Sequence, residues 1–331
     1  MSNLSVEDYK QLILEHKLVE EPQLEKVLAK LSESYGDKPY EVETLADSMV
    51  EAKLVTLWQN KVIMEGRVKS LLGGKHQGFF VGTYKLLRHL GTGGMNAVYL
   101  AEHTVMRRQV AIKVLSFGGD DDQAFLERFR MESRAIAALD DPNIVRAHDF
   151  NNDEDIYYLV MEFVEGKDLH HIIKEKGALP FETAADYIQQ SSKGLAHAHQ
   201  MGLIHRDIKP ANLLVDNKKV VKLLDLGIAR LAESDEEHSI TKTHSDSILG
   251  TADYLAPEQA LDSHDVDARA DIYSLGCTLY FLLTGHPPFS RGSLAQRMLM
   301  HQMQEPPSIY EDRPNAPPGL VEICQKMMAK K

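Results

Sequence analysis

The pattern of apolar residues changes once along the chain, near the segment GGKHQG at residues 73–78. Before this segment, apolar residues recur at helical spacing and no alternating strand pattern is present. After it, short apolar runs at 84–90, 97–101 and 109–115 have the length and composition of strands. This change predicts a small all-α module at 1–78, followed by an α+β domain.

The N-terminal module carries start signals for four helices. Capping-box spacings begin at Ser5 and Thr56, and Pro22 stands where the first turn of a helix tolerates proline. Apolar residues around Leu45 indicate another helix. We expect His16 to be a surface side chain. The module contains no nucleophile, metal cluster or phosphate loop, so we expect a regulatory or interaction role.

The rest of the chain divides into a strand-rich part and a helix-rich part. A helix is predicted at 122–139, and two more strands at 146–150 and 157–163. Helices dominate after residue 168. Five strands with one main helix, followed by a mostly helical half, form a two-lobed α+β arrangement.

Composition excludes several classes of protein. A formal net charge of −12 argues against nucleic-acid binding, which favours basic patches. Cys277 and Cys324 provide no disulfide framework and favour a reducing, cytoplasmic location. The first residues lack a signal-peptide pattern, and the apolar window at 275–283 is too short to span a bilayer. We therefore expect no membrane segment in this chain, which leaves open a membrane tether in a longer protein.

Two polar segments carry the strongest chemical signal. In IHRDIKPANLL, Asp207 and Asn212 lie five residues apart with Lys209 between them. An aspartate can accept a hydroxyl proton, and an amide oxygen can bind Mg²⁺. In LLDLGIAR, Asp225 stands among apolar residues, where a carboxylate is costly unless it is paired or bound to metal.

A glycine-rich segment lies upstream of these motifs. GTGGMNAVYL, at 91–100, resembles a phosphate-binding loop in which Asn96 replaces a third glycine, and a simple turn between strands is the alternative. Lys113, in VAIK, can reach phosphates as a point charge if an acid holds it. Glu132 is the candidate acid, and an exposed helix face is the alternative.

Together with GTADYLAPE at 250–258, these motifs resemble a protein kinase, most closely the eukaryotic-like Ser/Thr kinases of bacteria. The resemblance covers about three quarters of the chain, from residue 82 to the end. It implies a bilobal kinase fold, with a five-stranded N-lobe containing one main helix and a mostly helical C-lobe. The family pattern continues with another helix, so we expect the domain at 82–331 to be truncated before its last helix.

The resemblance also implies which residues act in catalysis and metal binding. The implied catalytic residues are Asp207, Lys209, Lys113, Glu132 and Thr251. Asp207 resembles the base that orients the substrate hydroxyl, and Lys209 the residue that steadies the transferred phosphoryl group. Lys113 resembles the lysine that contacts the α- and β-phosphates. Asn212 and Asp225 resemble the ligands of Mg²⁺, with Mn²⁺ as an alternative ion.

The ATP site follows from the same resemblance. Its implied residues are Leu90, Gly91, Gly93, Gly94, Val98, Ala111, Lys113, Met161, Glu162, Val164, Asp168 and Leu214. Met161 resembles the gatekeeper, and Glu162 and Val164 offer hinge backbone groups. Asp168 stands where a ribose contact is expected. Leu226 replaces the usual phenylalanine of DFG and keeps its apolar character.

The implied activity is transfer of the ATP γ-phosphoryl group to Ser or Thr hydroxyls of protein substrates. The alternative is a pseudokinase scaffold that binds nucleotide without catalysis. Arg206 resembles the arginine that pairs with an activation-segment phosphate. We expect autophosphorylation within residues 241–247, which implies self-association. Asp271 resembles the helix aspartate that braces the catalytic loop.

Overall fold

The computed structural model describes residues 4–36, 38–68, 79–93, 96–115, 133–153, 156–226, 252–261 and 266–330. The chain forms two compact units. The first consists of residues Met1–Gly118 and Phe150–Phe163, and the second of Gly119–Asp149 and Val164–Lys331. The N-terminal helices therefore belong to the same unit as most of the strands that follow them.

Four helices open the first unit: α1 (Val6–Glu15), α2 (Glu21–Tyr35), α3 (Val42–Glu51) and α4 (Leu57–Met64). Both predicted capping boxes are confirmed. The hydroxyls of Ser5 and Thr56 each accept a hydrogen bond, at 3.1 Å, from the backbone N–H three residues later. Pro22 lies in the first turn of α2, as predicted. Local sequence signals thus place the helix starts correctly.

Most of a six-stranded sheet also belongs to this unit, and its strand order is β1-β2-β3-β4-β6-β5. Its strands are β1 (Phe80–Val81), β2 (Tyr84–Gly93), β3 (Asn96–His103), β4 (Gln109–Leu115), β5 (Ala147–Asp153) and β6 (Ile156–Glu162). The five predicted strands are confirmed as β2–β6. The sheet has one further strand, β1, which has only two residues and precedes the predicted kinase domain. An alternating pattern cannot be recognised over so short a run.

The helices α1–α4 share one hydrophobic core with the sheet. The core residues of β3, β4 and β6 are Tyr99, Ala101, Val110, Ile112, Val114, Ile156, Tyr158 and Val160. They alternate along β3, β4 and β6, so they lie on one face of the sheet. We call α1–α4 the helical bundle and this face the bundle face.

The structure corrects one expectation in this unit. His16 was expected at the surface, but only 9% of it is exposed. Its ring lies edge-on to Phe79, with centroids 6.4 Å apart. Phe79 precedes β1 and is fully buried in the shared core. Acidic neighbours in sequence gave no indication of this contact, because it depends on how α1 packs against the sheet.

The second unit contains the three-stranded sheet β7 (Gly166–Asp168), β8 (Leu213–Asp216) and β9 (Val221–Leu223). Its helices are α5 (Leu169–Lys176), α6 (Phe181–Gln200), α7 (Pro257–Leu261), α8 (Ala268–Thr284), α9 (Leu294–Met303), α10 (Ile309–Asp312) and α11 (Pro318–Met327). Residues 133–137 are also helical. Residues 122–132 of the helix predicted at 122–139 lie outside the described residues.

Helix α8 forms the centre of the second unit, with 13 buried residues. A Cβ atom at Gly276 would approach Met327 Cβ to 2.8 Å, so this glycine allows α8 and α11 to pack closely. The apolar window at 275–283 is thus a buried core helix. Within the described residues, no helix has the length and apolarity needed to cross a membrane.

Candidate active site

The segment between α6 and β8 is held in place by one buried carboxylate. Asp271, on α8, is 1% exposed. Its Oδ2 accepts the backbone N–H of His205 at 2.8 Å, and its Oδ1 accepts that of Arg206 at 2.7 Å. Arg206 has φ of +64°, a left-handed conformation that costs free energy for a residue with a side chain. The two bonds offset this cost and fix the backbone entering Asp207.

Two polar groups converge on one oxygen of Asp207. Its Oδ2 lies 2.9 Å from Lys209 Nζ and 2.9 Å from Asn212 Nδ2. The same Asn212 nitrogen donates to the backbone oxygen of Asp207 at 2.8 Å. The other oxygen, Oδ1, is buried and has no hydrogen-bond partner among the residues that the structure describes. The loop thus holds the carboxylate in one orientation and leaves Oδ1 as an acceptor.

The segment that carries Asp225 is tied to this loop. The backbone N–H of Leu224 donates to the backbone oxygen of Asn212 at 2.9 Å, and the backbone oxygen of Leu224 lies 2.8 Å from His205 Nε2. Asp225 itself has φ of +56°, which aspartate tolerates better than most residues. Leu226 is 5% exposed, so its apolar side chain is buried. These contacts bring the predicted metal ligands Asn212 and Asp225 onto neighbouring, connected segments.

The donor atoms available at these two residues suit a hard divalent cation. The amide nitrogen of Asn212 is used by Asp207, so its amide oxygen remains as a possible ligand beside the Asp225 carboxylate. Mg²⁺ is typically held by one or two protein oxygens together with waters and substrate phosphates. Among the described residues, no group of three or more His, Cys, Asp or Glu side chains is placed to hold a metal ion. The residues present therefore fit a metal bound jointly with a phosphorylated ligand.

In the first unit, predicted nucleotide-binding residues share the sheet face opposite the bundle face. Gly91 pairs with Val98, and Val98 pairs with Lys113, across β2, β3 and β4. Ala111 pairs with Met161 on β6. Directly paired residues and residues two apart on a strand lie on the same face. The Lys113 side chain is 3% exposed, so its charge is largely removed from water.

The remaining predicted nucleotide residues occupy the ends of strands and helices. Glu162 ends β6, and Leu90 lies at an irregularity of β2. In the second unit, Asp168 pairs with Leu214 between β7 and β8. Asp168 also caps α5, since its Oδ1 accepts the N–H of His171 at 2.9 Å. Val164 belongs to the second unit and lies in the segment between β6 and β7.

A family comparison agrees with this arrangement. The model of the family described as "Protein kinase domain" matches residues 84–331, which is three quarters of the chain. The chain belongs to the protein kinase family. Its kinase domain therefore includes β2–β9 and α5–α11, and the helical bundle precedes the matched region.

Curated relatives and solved structures show the same kinship. The kinase domain is 42% identical over 249 residues to "Serine/threonine-protein kinase PrkC" of Bacillus subtilis, and 40% identical over 251 residues to "Serine/threonine-protein kinase PknB" of Mycolicibacterium smegmatis. Each match covers 75% of this chain, which spans only 38% and 40% of those relatives. The crystal structure of the Mycobacterium tuberculosis PknI kinase domain aligns with a TM-score of 0.57 and 30% identity, covering 76% of this chain and 90% of that one.

Some predicted residues of the kinase site lie outside the described residues. These are Gly94, Glu132 and Thr251, together with the activation-segment hydroxyls at Thr241, Thr243, Ser245 and Ser247. Gly93 is described only as the last residue of β2, where it pairs with Asn96 at the start of β3. The glycine-rich segment thus connects two neighbouring antiparallel strands, as both sequence alternatives required.

Two contacts that support the loop carrying Asp207 were not predicted from sequence. His199 Nε2 lies 2.8 Å from Asp271 Oδ2, and Gln259 Nε2 donates to the Arg206 oxygen at 2.9 Å. The first pair is 72 residues apart in sequence and the second 53. No local pattern links partners at such separations. The loop that carries Asp207 is thus held by residues of α6, α7 and α8 together.

An ion pair holds the 3₁₀ turn Ala252–Tyr254. Arg297, on α9, donates from Nη1 to Oδ1 of Asp253 in the 3₁₀ turn Ala252–Tyr254. Burial raises the pKa of the Asp253 carboxyl, and Arg297 acts in the opposite direction. Both side chains are less than a fifth exposed. The described part of the segment GTADYLAPE is therefore anchored to α9 through Asp253.

Proposed function

We propose that this chain is an ATP-dependent protein Ser/Thr kinase, with the kinase domain at 82–331 and a separate accessory role for residues 1–78. The observation that carries the proposal is the convergence of Lys209 and Asn212 on one oxygen of Asp207. A carboxylate fixed in this way can orient a hydroxyl group and accept its proton. The substrates are proposed to be proteins, in line with the names of the curated relatives.

Each residue of the loop has a role in this proposal. Asp207 receives the hydroxyl through Oδ1, the oxygen without a partner among the described residues. Lys209 places a positive charge beside the same carboxylate, where it stabilises negative charge on the transferred group. Asn212 fixes the rotation of Asp207 and offers its amide oxygen to a metal ion. Phosphoryl transfer depends mainly on positioning and charge, which these residues supply.

Nucleotide binding is proposed for both units. Asn212 and Asp225 would hold Mg²⁺, or Mn²⁺ in its place, and Lys113 would contact the phosphates of ATP. The bound metal supplies charge neutralisation of the phosphate oxygens. Val98, Ala111 and Met161 are proposed to face the adenine, because they share a sheet face with Lys113.

Retention of the reactive residues disfavours the pseudokinase alternative. Lys113, Asp207, Lys209, Asn212 and Asp225 are all present. The family pattern of a lysine two residues after the catalytic aspartate favours Ser and Thr over Tyr as acceptors. Self-association for autophosphorylation is part of the proposal, with Thr241–Ser247 as the region of modification.

The deciding experiment measures transfer of radiolabelled γ-phosphate from ATP to the protein itself and to a generic basic protein. Asp207→Asn should lower the rate by about 10²–10⁴. Asp216→Asn is the matched control, since the Asp216 side chain accepts the N–H groups of Lys218 and Val220 in the turn between β8 and β9. Absence of transfer by the wild-type protein, or equal rates for wild type and Asp207→Asn, would overturn the proposal.

Mass spectrometry after incubation with ATP tests the regulatory part. We expect phosphate on at least one hydroxyl within residues 239–247, and none in Asp207→Asn. An active protein without modification in this region would exclude autophosphorylation there while leaving the kinase activity itself intact.

A further inference from the structure

Helix α4 makes two hydrogen bonds to the backbone of β2. Gln59 Nε2 donates to the Leu86 oxygen at 2.7 Å, and Thr56 Oγ1 donates to the Leu87 oxygen at 2.8 Å. Gln59 is 1% exposed, so its bond is shielded from water. The same two side chains form the capping box of α4, because Gln59 Oε1 accepts the Thr56 N–H at 2.9 Å. The start of α4 is thereby joined to one place on the strand.

That place is an irregularity in the pairing of β2 with β3. The register shifts between Leu86 and Arg88, so Leu87 has no direct partner on β3. At a β-bulge the ladder is locally interrupted and the strand bends. The hydroxyl of Thr56 supplies a partner for the carbonyl of the bulged residue. Helix α4 thus stabilises a bent conformation of β2 by supplying a hydrogen bond to a backbone carbonyl at the register shift.

A second contact path runs from α4 to the glycine-rich segment. The ring centroid of Trp58 lies 5.9 Å from that of Tyr99, which lies 5.3 Å from that of His89. His89 makes a hydrogen bond with the backbone of Gly91. A second register shift falls between His89 and Gly91, at Leu90. Helix α4 therefore contacts the first irregularity of β2 directly, through Thr56 and Gln59. It reaches the second irregularity indirectly, through the ring of Tyr99.

We propose that Thr56 and Gln59 are positioning residues for the nucleotide-binding strand, acting through the bend of β2. This inference rests on the proposed function, in which Leu90 and Gly91 contact ATP. The two side chains lie on the bundle face, whereas Lys113 and Val98 lie on the opposite face, so their effect on nucleotide is indirect. By holding β2 bent before ligand arrives, they reduce the ordering that binding must impose.

The test compares paired variants of two capping boxes. Thr56→Val and Gln59→Met remove the bonds to β2, and Thr56→Ser keeps the hydroxyl. Ser5→Ala is the matched control, because Ser5 forms a capping box at the start of α1 and, among the described residues, its side chain makes hydrogen bonds with Asp8 alone. The dissociation constant for ADP with Mg²⁺ is measured by calorimetry on the full chain, well below each variant's unfolding temperature.

We expect Thr56→Val and Gln59→Met each to raise the dissociation constant about threefold to tenfold, as the loss of one or two hydrogen bonds implies. Thr56→Ser and Ser5→Ala should remain within about twofold of wild type. Because Asp207 is untouched, kcat should change less than the dissociation constant.

Three results separate the failure of this inference from failure of the proposed function. Equal dissociation constants for wild type, Thr56→Val and Gln59→Met would overturn the inference. An equal rise in Ser5→Ala would also overturn it, since general loosening of the bundle would then explain the effect. Wild-type protein that neither binds ADP nor transfers phosphate would instead reject the kinase proposal, and the inference with it.

Discussion

Asp271 accepts the backbone N–H of Arg206 at 2.7 Å and so stabilises a left-handed arginine, with φ of +64°. The arginine immediately precedes Asp207, so the direction in which the proposed catalytic carboxylate points depends on this bond. The bond is made in the interior, since Asp271 is 1% exposed. His199 and His205 share the second carboxylate oxygen. One aspartate on α8 therefore orders a loop more than sixty residues away in sequence.

Asp271→Asn should weaken both stability and catalysis. An amide has one acceptor oxygen, so it cannot accept hydrogen bonds on both sides as the carboxylate does. We expect a loss of about 1–3 kcal/mol in the free energy of unfolding, because one buried N–H is left unpaired. We also expect a larger loss in kcat than in nucleotide affinity. Urea denaturation and phosphate-transfer assays measure the two effects.

Asp267→Asn is the matched control for this variant. Asp267 caps the start of α8 and is exposed, and asparagine caps a helix about as well as aspartate. Wild-type kcat is therefore expected for Asp267→Asn. The argument fails if Asp271→Asn retains wild-type kcat and stability.

Packing of the bundle against the sheet should make the first unit sensitive to substitutions in α3. Met49 is fully buried in the shared core, and truncation of such a side chain to alanine costs about 2–5 kcal/mol. Leu57 is 75% exposed on α4, so Leu57→Ala should change stability by less than about 0.5 kcal/mol. Thermal and denaturant unfolding of Met49→Ala and Leu57→Ala test this difference, which similar midpoints would contradict.

Deletion of residues 1–78 should expose the bundle face. The apolar side chains uncovered include Tyr99, Val110, Ile112 and Val160, which belong to the core shared with the bundle. Each contributes about 1.5–3 kcal/mol when buried, and their sum is comparable to the whole stability of a domain. We expect self-association and increased binding of a hydrophobic dye. A monomeric deletion variant with an unchanged unfolding midpoint would show that the face needs no cover.

Stability should fall in mild acid because of His301. The pKa of His301 is lowered to about 4, mainly by burial and in addition by the charge of nearby Lys330, while the backbone of Asp253 acts in the opposite direction. The ordinary value is 6.5, so the unfolded chain binds more protons than the folded one between pH 6.5 and 4. The free energy of unfolding therefore decreases as pH falls through this window, by about 3 kcal/mol from this group.

Denaturation as a function of pH tests this dependence with two histidine variants. His301→Gln should flatten the decrease, since glutamine does not titrate and can still accept a bond from the Tyr273 hydroxyl, which lies 2.9 Å from His301 Nδ1. His286→Gln is the control, because His286 is 45% exposed at its side chain. A slope that is the same in wild type and His301→Gln would assign the acid sensitivity to other groups.

The two cysteines should be inert in the folded protein. Cys277 and Cys324 are fully buried, and burial raises the pKa of the Cys324 thiol to about 12 and that of Cys277 well above its usual value. A thiolate is the reactive form, so a thiol reagent should modify neither residue at neutral pH. Two thiols should react after denaturation. Rapid modification of the native protein would contradict the packing of α8 against α11.

Local signals in the sequence were sufficient for much of the molecule. The capping boxes at Ser5 and Thr56 are confirmed, and β4 has the predicted bounds Gln109–Leu115. The close spacing of Asp207, Lys209 and Asn212 already required a short loop on which they could meet. Such features depend on residues a few positions apart, whose geometry is limited by the backbone itself.

By itself, therefore, the sequence determined the strands β2–β6, the starts of α1 and α4, the family and the identity of the proposed reactive residues. Only the tertiary structure decided that His16 is buried, that Asp271 is shared by three donors and that Gln59 holds β2. The bond from Gln59 to Leu86 spans 27 residues and that from His199 to Asp271 spans 72. Contacts at these separations arise from the packing of whole elements, and no local periodicity specifies which polar side chain meets which backbone group.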